Sequence, residues 1–331
     1  MTVPLITPYA NLNPSLILDA IESVGLCCSG SLFALNSYEN RVYQVGLQEA
    51  PPLIVKFYRP GRWSDAAILE EHQFSLELAE REIPVIAPMV VQGCTLHNYQ
   101  NFRFALFKRQ GGRPLELDNA DHLEWMGRFL GRLHAVSALQ PFQHRLRLDV
   151  ETYGHAPYQF LLANHFIPDY LQENYCRTTE TLLEKITACF KAIGPLQYIR
   201  LHGDCHAGNV LWNETGPFIV DLDDALMGPA IQDIWMLLSG TREQSKKELN
   251  SILNGYEEFY DFDFREFHLI EALRSLRMLH YSGWLAKRWE DPAFPLSFPW
   301  FNTPRYWQDQ IQHLTEQVYL LDETLESIEV Q

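Results

Sequence analysis

The sequence predicts an α+β fold of two lobes, a β-rich N-terminal lobe with one key helix and a larger, mainly helical C-terminal lobe. Short β-branched and aromatic runs follow one another over the first 110 residues, interrupted by one long helical pattern. Two glycines and a proline at 111–114 then break the pattern, and beyond them apolar residues recur at helical spacing. We therefore predict a nucleotide-binding lobe at 1–110 and a catalytic and substrate lobe at 111–331.

Composition restricts the classes of partner. The formal net charge of −16 repels nucleic acid and anionic membrane surfaces, so we expect neither as a partner. No apolar span long enough to cross a bilayer and no signal peptide is evident. The six cysteines form no Cys-x-x-Cys pair, which favours reduced thiols and a cytoplasmic location. A monomer is favoured.

The first lobe is expected to begin with a helix and two hairpins. Asn13 is a capping residue, and Gly25 is placed to end the helix that follows it. Four β-rich runs then predict two antiparallel hairpins, the first with a polar tip that contains Ser37 and Asn40. The paired runs are 30–35 with 41–47, and 87–91 with 102–107.

A charged residue lies inside the strand between these hairpins. Lys56 is surrounded by apolar residues, where an ammonium is costly without an anionic partner. The next helix is predicted from Ala66 to Glu80, and it carries two candidate partners, Glu70 and Glu71. We prefer Glu71 because of its distance from the turn at 83–85.

The second lobe is predicted to consist mainly of helices. One helix is expected after Asn119, further helices at 178–192, 243–259 and 264–289, and a last one with an acidic end at the C-terminus. Aromatic residues are concentrated late in the chain, and they either pack helices together or cage a cationic group. They are Trp284, Trp289, Trp300, Tyr306 and Trp307.

One segment of the second lobe carries the residues from which we predict a reaction. Asp204 is followed five residues later by Asn209, and an apolar strand then ends at Asp221. Phosphoryl transfer needs a group that accepts a hydroxyl proton and oxygen ligands for Mg²⁺. The interval from His202 matches the kinase pattern H-x-D-x-x-x-x-N, which a later aspartate completes. We predict catalytic roles for Asp204 and Asp221, and a Mg²⁺ site at Asn209 and Asp221.

ATP is the cofactor that this site implies. Kinases cover its phosphates with a glycine-rich hairpin, and because the first hairpin lacks those glycines, Ser37 and Asn40 are expected to replace them. A lysine in a Val-x-Lys strand clamps the phosphates and pairs with a helix glutamate, which are the roles predicted for Lys56 and Glu71. We expect the adenine to contact the chain from Phe107 to Gln110.

The segment after Asp221 is too short for one common form of kinase regulation. Only eleven residues separate Asp221 from Asp233, so there is no room for a long activation segment and we infer no control by its phosphorylation. Asp233 is predicted to anchor the catalytic loop. Asp223 either assists a second Mg²⁺ or stabilises a turn.

The catalytic segment also carries a resemblance. His202-Gly203-Asp204, with Asn209 and Asp221, resembles the signature of the aminoglycoside phosphotransferase and choline kinase superfamily, which implies a protein-kinase-like fold. The runs 36–43, 55–60 and 221–225 are more closely similar to the bacterial stress response kinases. That resemblance implies a cytoplasmic serine/threonine protein kinase in which Asp204 is the proton acceptor, Asn209 and Asp221 hold Mg²⁺, and Ser37 lies over the phosphates.

Three functions remain open at this point. The first is ATP-dependent phosphorylation of serine or threonine on a protein substrate, including the enzyme itself. The second is phosphorylation of a small alcohol or amine, as in choline, homoserine or aminoglycoside kinases. The third is a binding module without catalysis, which is disfavoured because Lys56, Asp204, Asn209 and Asp221 are all present.

Overall fold

Helices and strands are distributed along the chain as the sequence predicts, strands early and helices late. The computed structural model describes residues 8–240 and 242–329, without the side chains of Arg242 and Glu329. The α-helices are α1 (Pro14–Glu22), α2 (Asp65–Glu80), α3 (Ala120–Ser137), α4 (Ala156–Ala163), α5 (Asp169–Ile193), α6 (Ile231–Trp235), α7 (Arg242–Tyr256), α8 (Ile270–Ala286), α9 (Ala293–Ser297) and α10 (Pro304–Glu329). The strands are β1 (Cys28–Ala34), β2 (Arg41–Leu47), β3 (Leu53–Phe57), β4 (His97–Tyr99), β5 (Phe102–Lys108), β6 (Arg113–Pro114), β7 (Ile199–Leu201), β8 (Val210–Asn213), β9 (Gly216–Ile219) and β10 (Leu226–Gly228). The predicted α+β class is confirmed.

The chain divides into two compact units that do not follow the order of the sequence. The first contains the described residues up to Arg145, together with His202–Ala225 and Met236–Asp261. The second contains Leu146–Leu201, Leu226–Trp235 and the described residues from Phe262 onward. Every residue that we predicted to act in binding or catalysis lies in the first unit. The division of the chain into lobes at 110 and 111 stays a prediction.

A five-stranded antiparallel sheet forms the β-rich part of the first unit. Its strand order is β1-β2-β3-β5-β4, so β3 is central. Lys56 lies opposite Val42 on one neighbouring strand and Ala105 on the other. The first predicted hairpin is confirmed as β1 and β2, which pair antiparallel.

The two faces of this sheet have different partners because side chains alternate along a strand. Val55 and Phe57 face a buried apolar cluster that includes Ile17 and Ile21 of α1. The opposite face carries Ala105, which packs with Ile68 of α2 and with Tyr58. Lys56 has the parity of this second face, so its side chain leaves the sheet on the side that α2 covers.

The second predicted hairpin is partly wrong. β5 pairs in a hairpin with β4, and the predicted partner 87–91 makes an isolated bridge, from Pro88 to Phe107. Proline has no N–H to donate to a strand ladder, so a regular strand is disfavoured around it. The backbone N–H of Met89 still donates to Leu106 at 2.7 Å, which keeps the segment beside β5.

The second unit is helical and rich in packed aromatic rings. Trp307 on α10 is fully buried, and its ring lies 5.6 Å from that of Tyr175 on α5. Phe294 and Phe301 are each 1% exposed, whereas Trp300 is 44% exposed, so it is the buried rings that pack helices together. The sequence did not predict α4 or the short strand pair β7 and β10. Within residues 8–240 and 242–329, no helix is both long and apolar enough to span a bilayer.

Close helix packing in the first unit depends on a glycine. α3 and α7 lie so close that a Cβ atom on Gly127 would be 1.8 Å from the backbone oxygen of Ile252. Real Cβ atoms do not make contacts of this length, so the helices would have to separate. The absence of a side chain at Gly127 therefore sets the distance between α3 and α7.

We expect Gly127→Ala to destabilise the protein by about 3 kcal/mol, the upper end for overpacking a core. Alanine favours the helical backbone over glycine by about 1 kcal/mol, so a net loss can come only from packing. Urea unfolding followed by circular dichroism measures the change. Gly111→Ala is the control, because a Cβ atom there meets nothing within 4 Å. Equal stability of the two variants would contradict the prediction.

Candidate active site

The catalytic loop folds so that Asn209 lies against Asp204. The amide nitrogen of Asn209 donates to the backbone oxygen of Asp204 at 2.9 Å and lies 3.5 Å from its carboxylate Oδ2. A 3₁₀ turn at Ala207–Asn209 makes the reversal. His206 accepts the N–H of Gly208 at Nδ1, and its Nε2 lies 3.4 Å from Asp204 Oδ2. The structure thus brings the predicted pair together and adds His206 beside the carboxylate.

His202 connects this loop to the segment that delivers Asp221. Its Nδ1 accepts the backbone N–H of Asp204 at 3.3 Å, and its Nε2 donates to the backbone oxygen of Val220 at 2.9 Å. These bonds assign the Nε2-protonated tautomer to a fully buried ring. The N–H of Val220 in turn donates to the backbone oxygen of Asn209 at 3.0 Å. The backbone immediately before Asp221 is therefore connected to Asp204 through His202 and directly to Asn209.

Asp221 has an unusual backbone and an accessible side chain. Its φ of 64° lies in the left-handed region, which costs a non-glycine residue about 1 kcal/mol or more. Its side chain is 52% exposed, and Oδ1 lies 2.6 Å from Nζ of Lys56. A half-exposed carboxylate beside a catalytic loop is available to a cation from solution.

Lys56 is buried and pairs with two aspartates. It is 6% exposed, and Nζ lies 2.6 Å from Asp221 and 3.5 Å from Asp223. Burial alone would lower the pKa of Lys56, but Asp221 and Asp223 more than offset that effect and raise it above its usual value. The ammonium therefore stays charged.

The two candidate glutamates of α2 have separate roles. Glu70 accepts backbone N–H groups of the segment 143–145, at 2.8 Å from His144 and 3.1 Å from Arg145. Glu71 is 3% exposed and accepts the hydroxyl of Ser75 at 3.2 Å. Of the two, Glu71 is the residue whose charge acts on Lys56. Among the residues that the structure describes, however, the ion pairs of Lys56 are with Asp221 and Asp223.

Glu71 has a perturbed acidity. Burial raises its pKa to about 7, against the opposing effect of Lys56 and Arg145. Near neutral pH the carboxyl is therefore partly protonated.

Asp223 is the centre of a buried charge cluster. It is 3% exposed, and Oδ2 accepts from the amide of Asn40 at 3.1 Å and from the guanidinium of Arg62. Arg145 donates to its backbone oxygen. Burial would raise the pKa of Asp223, but Lys56, Arg62 and Arg145 together hold it below its usual range. Of the two roles considered for Asp223, assisting a second Mg²⁺ or stabilising a turn, this environment favours the structural one.

The hairpin tip presents its predicted nucleotide contacts differently. The hydroxyl of Ser37 donates to the backbone oxygen of Asn40 at 2.9 Å, so it lies at the tip as expected. Asn40 is 3% exposed, and its Oδ1 accepts the N–H of Arg59 at 3.1 Å while its amide binds Asp223. Both ends of the Asn40 side chain are therefore bonded inside the protein. The nucleotide contact predicted for Asn40 stays a prediction.

The predicted adenine segment follows β5. Phe107 is half-buried and packs against the cluster of Tyr58, Ile68 and Ala105. The side chain of Gln110 donates to the backbone oxygen of Gly111 at 3.0 Å. Contacts from this segment to a nucleotide stay a prediction.

The donor chemistry of the site fits Mg²⁺. Asn209 uses its amide nitrogen within the loop, which leaves its oxygen for a cation, and Asp221 offers a half-exposed carboxylate. Mg²⁺ is typically held by one or two protein oxygens together with phosphate oxygens and waters. In the described part of the chain, no cluster of three or more His, Cys, Asp or Glu side chains forms a self-sufficient metal site. Asn209 and Asp221 are therefore the residues that would hold the ion together with a nucleotide.

Sequence reasoning missed Arg62 and the ring bonds of His202. Arg62 binds both Asp223 and Asp224, which lie more than 160 residues later in the chain. An arginine in a loop gives no signal of such a distant partner. His202 did give one, because it is the histidine of the H-x-D pattern.

Substitution of Glu71 should change how stability depends on pH. The folded pKa of about 7 lies above the ordinary value of 4.5, so folding binds a proton in that interval and the free energy of unfolding falls as pH rises through it. We expect Glu71→Gln to remove this decline, so the wild-type protein loses up to about 3 kcal/mol relative to the variant between pH 4.5 and 7. Urea unfolding at several pH values gives the difference, with the exposed Glu80→Gln as reference. Parallel pH curves for wild type and Glu71→Gln would be the contrary result.

Comparisons with known proteins agree with this site. The model of the phosphotransferase enzyme family matches residues 33–270. The serine/threonine protein kinase RdoA of Salmonella typhimurium (strain LT2) is 45% identical over 315 residues, which cover 95% of each chain. The stress response kinase A of Escherichia coli (strain K12) is 44% identical with the same coverage. These matches confirm the resemblance found in the sequence.

A solved structure shares the fold. The amicoumacin kinase hAmiN, in complex with AMP-PNP, Ca²⁺ and Ami, aligns with a TM-score of 0.72 at 19% identity, covering 94% of this chain and 93% of that one. This likeness confirms the predicted protein-kinase-like fold. The chain belongs to the phosphotransferase enzyme family, and it is a kinase.

Proposed function

We propose that this protein is an ATP- and Mg²⁺-dependent serine/threonine protein kinase that also phosphorylates itself and acts in a bacterial stress response. The observation that carries the proposal is the hydrogen-bonded grouping of Asp204, Asn209 and the backbone before Asp221, with the Lys56 ammonium 2.6 Å from Asp221. Relatives named as serine/threonine and stress response kinases, at 44–45% identity over 95% of the chain, support the substrate class.

The site residues divide the work of phosphoryl transfer. Asp204 orients the acceptor hydroxyl and takes its proton, with His206 Nε2 beside the carboxylate at 3.4 Å. Lys56 places a positive charge on the phosphates, and the hydroxyl of Ser37 lies at the hairpin tip above them. Asn209 and Asp221 would hold Mg²⁺, which would supply charge neutralisation on the nucleotide phosphates.

Incubation of the purified protein with γ-labelled ATP, Mg²⁺ and a generic basic protein tests the substrate class. A basic protein is the appropriate acceptor because the net charge of −16 attracts it. We expect label on serine and threonine of the added protein and of the kinase itself. Label on choline, homoserine or an aminoglycoside in parallel reactions, with none on any protein, would overturn the proposal in favour of a small-molecule kinase.

Asp204→Asn should abolish turnover while preserving nucleotide binding. Loss of a general base lowers kcat by about 10²–10⁴-fold. The asparagine is isosteric and keeps the bond between the Asn209 amide and the backbone oxygen of residue 204. Labelled-phosphate transfer measures kcat, and a fluorescent ATP analogue measures Kd. Asp65→Asn, at an exposed ion pair with Arg103, is the matched control. A kcat for Asp204→Asn within a few-fold of wild type would exclude Asp204 as the base.

Asn209→Ala should raise the Mg²⁺ requirement. Removing a ligand oxygen is expected to shift the Mg²⁺ concentration for half-maximal activity upward by roughly tenfold or more. A Mg²⁺ titration at saturating ATP gives the midpoint. Asn213→Ala is the control, since the Asn213 side chain binds Thr215 in the adjacent turn. If Asn209→Ala has the wild-type midpoint, another residue holds the ion.

A further inference from the structure

Two cations compete for the carboxylate of Asp221. The structure places it 2.6 Å from the Lys56 ammonium, and the proposed function requires it to bind Mg²⁺. The two cations repel each other when they share one carboxylate at such distances. When Asp221 turns to the metal ion, Lys56 therefore needs a second anion to hold its side chain in place.

Glu71 acts on Lys56 through its charge but makes no ion pair with it among the described residues. In kinases a helix glutamate pairs with the strand lysine. Here the Glu71 carboxylate accepts from Ser75 at 3.2 Å and lies 3.8 Å from His72. The ion pairs that Lys56 makes within the described residues are with Asp221 and Asp223, so the usual lysine–glutamate pair is replaced.

Asp223 is built to hold a cation in a fixed position. Its Oδ1 lies 3.5 Å from Nζ of Lys56. Its Oδ2 is occupied by the Asn40 amide and the Arg62 guanidinium, and its side chain is only 4% exposed. Because Oδ2 is fixed by two donors and Oδ1 faces Lys56, this rigid carboxylate suits a positioning role.

We propose that Asp223, held by Asn40 and Arg62, is the positioning residue that keeps Lys56 directed at the nucleotide phosphates when Asp221 binds Mg²⁺. This inference rests on the proposed function, because it assumes that Lys56 binds the phosphates and Asp221 the metal ion. It gives the hairpin tip a second purpose, since Asn40 connects that tip to the lysine through Asp223. Arg62 also binds Asp224 and lies 3.8 Å from Glu39 of the tip, so the same arginine ties the hairpin to the metal-binding loop.

The experiment compares Asp223→Asn with Glu71→Gln, two isosteric removals of one charge. We expect Asp223→Asn to raise the Kd of a fluorescent ATP analogue with Mg²⁺, and the KM for ATP, by about tenfold, the size of one charged hydrogen-bond partner. Glu71→Gln should raise both values less than Asp223→Asn does, because Glu71 makes no ion pair with Lys56 among the described residues. The control Asp65→Asn removes a charge from an exposed ion pair in the same unit.

A double-mutant cycle separates positioning from general structural support. In the Lys56→Met background, Asp223→Asn should have almost no further effect on Kd, because the residue that it positions is gone. Asn40→Ala removes one support of Asp223 without removing its charge. It should raise the Kd in the same direction but less, and this effect should also vanish in the Lys56→Met background. Asn40→Ala keeps the test decisive if Asp223→Asn does not fold, which thermal melting and near-UV circular dichroism report.

Each outcome bears on one claim. Wild-type protein that fails to bind Mg²⁺ with the ATP analogue would overturn the proposed function, and this inference with it. Wild-type binding with an equal or larger loss in Glu71→Gln than in Asp223→Asn would overturn the inference alone. The inference would also be overturned if Asp223→Asn or Asn40→Ala raised the Kd by the same factor in the Lys56→Met background as in the wild type.

Discussion

The burial of Lys56 is the constraint on which the site depends. An ammonium that is 6% exposed keeps its charge only when anions surround it, and two aspartates more than 160 residues later in the chain supply them. Leaving a buried charge without its partner costs about 3–5 kcal/mol. The strand that carries Lys56 and the loop that carries Asp221 and Asp223 are therefore fixed to one another by charge. Apolar packing alone could not place them this accurately, because it has no direction.

The two aspartates differ in what they can still do. The Asp221 side chain is 52% exposed, whereas that of Asp223 is 4% exposed and bonded to fixed donors. Exposure leaves Asp221 free to exchange one cation for another, and burial commits Asp223 to the partners it has. Asp221 and Asp223 are two residues apart in sequence, yet one aspartate can exchange its cation and the other is held rigidly. The 3₁₀ turn Leu222–Asp224 gives them these different environments.

The sequence was informative where function depends on local spacing. The interval from Asp204 to Asn209 fits one 3₁₀ reversal, so it could be recognised without a structure. Lys56 was recognisable because a charge in an apolar strand demands an explanation. The roles of Arg62 and Asn40 depend on partners more than 160 residues away, and no local pattern encodes them. The prediction of a strand around Pro88 was wrong. The apolar residues of this segment suggested a strand, but Pro88 has no N–H to donate to a strand ladder.

Under the proposed function, the hairpin tip covers the phosphates without glycines. Glycine-rich loops offer backbone amides at the expense of conformational entropy, since glycine loses the most freedom on ordering. Here the tip is held in place by side-chain hydrogen bonds, within the tip and to residues outside it. The backbone oxygen of Glu39 accepts from Tyr9 at 3.1 Å, Ser37 binds Asn40, and Asn40 binds Asp223. A tip that is already ordered loses less entropy when a nucleotide binds beneath it, because preorganisation lowers the cost of association. Asn40 ties the tip to Asp223, so under the proposed function the phosphate cover is fixed relative to the loop that carries Asp221.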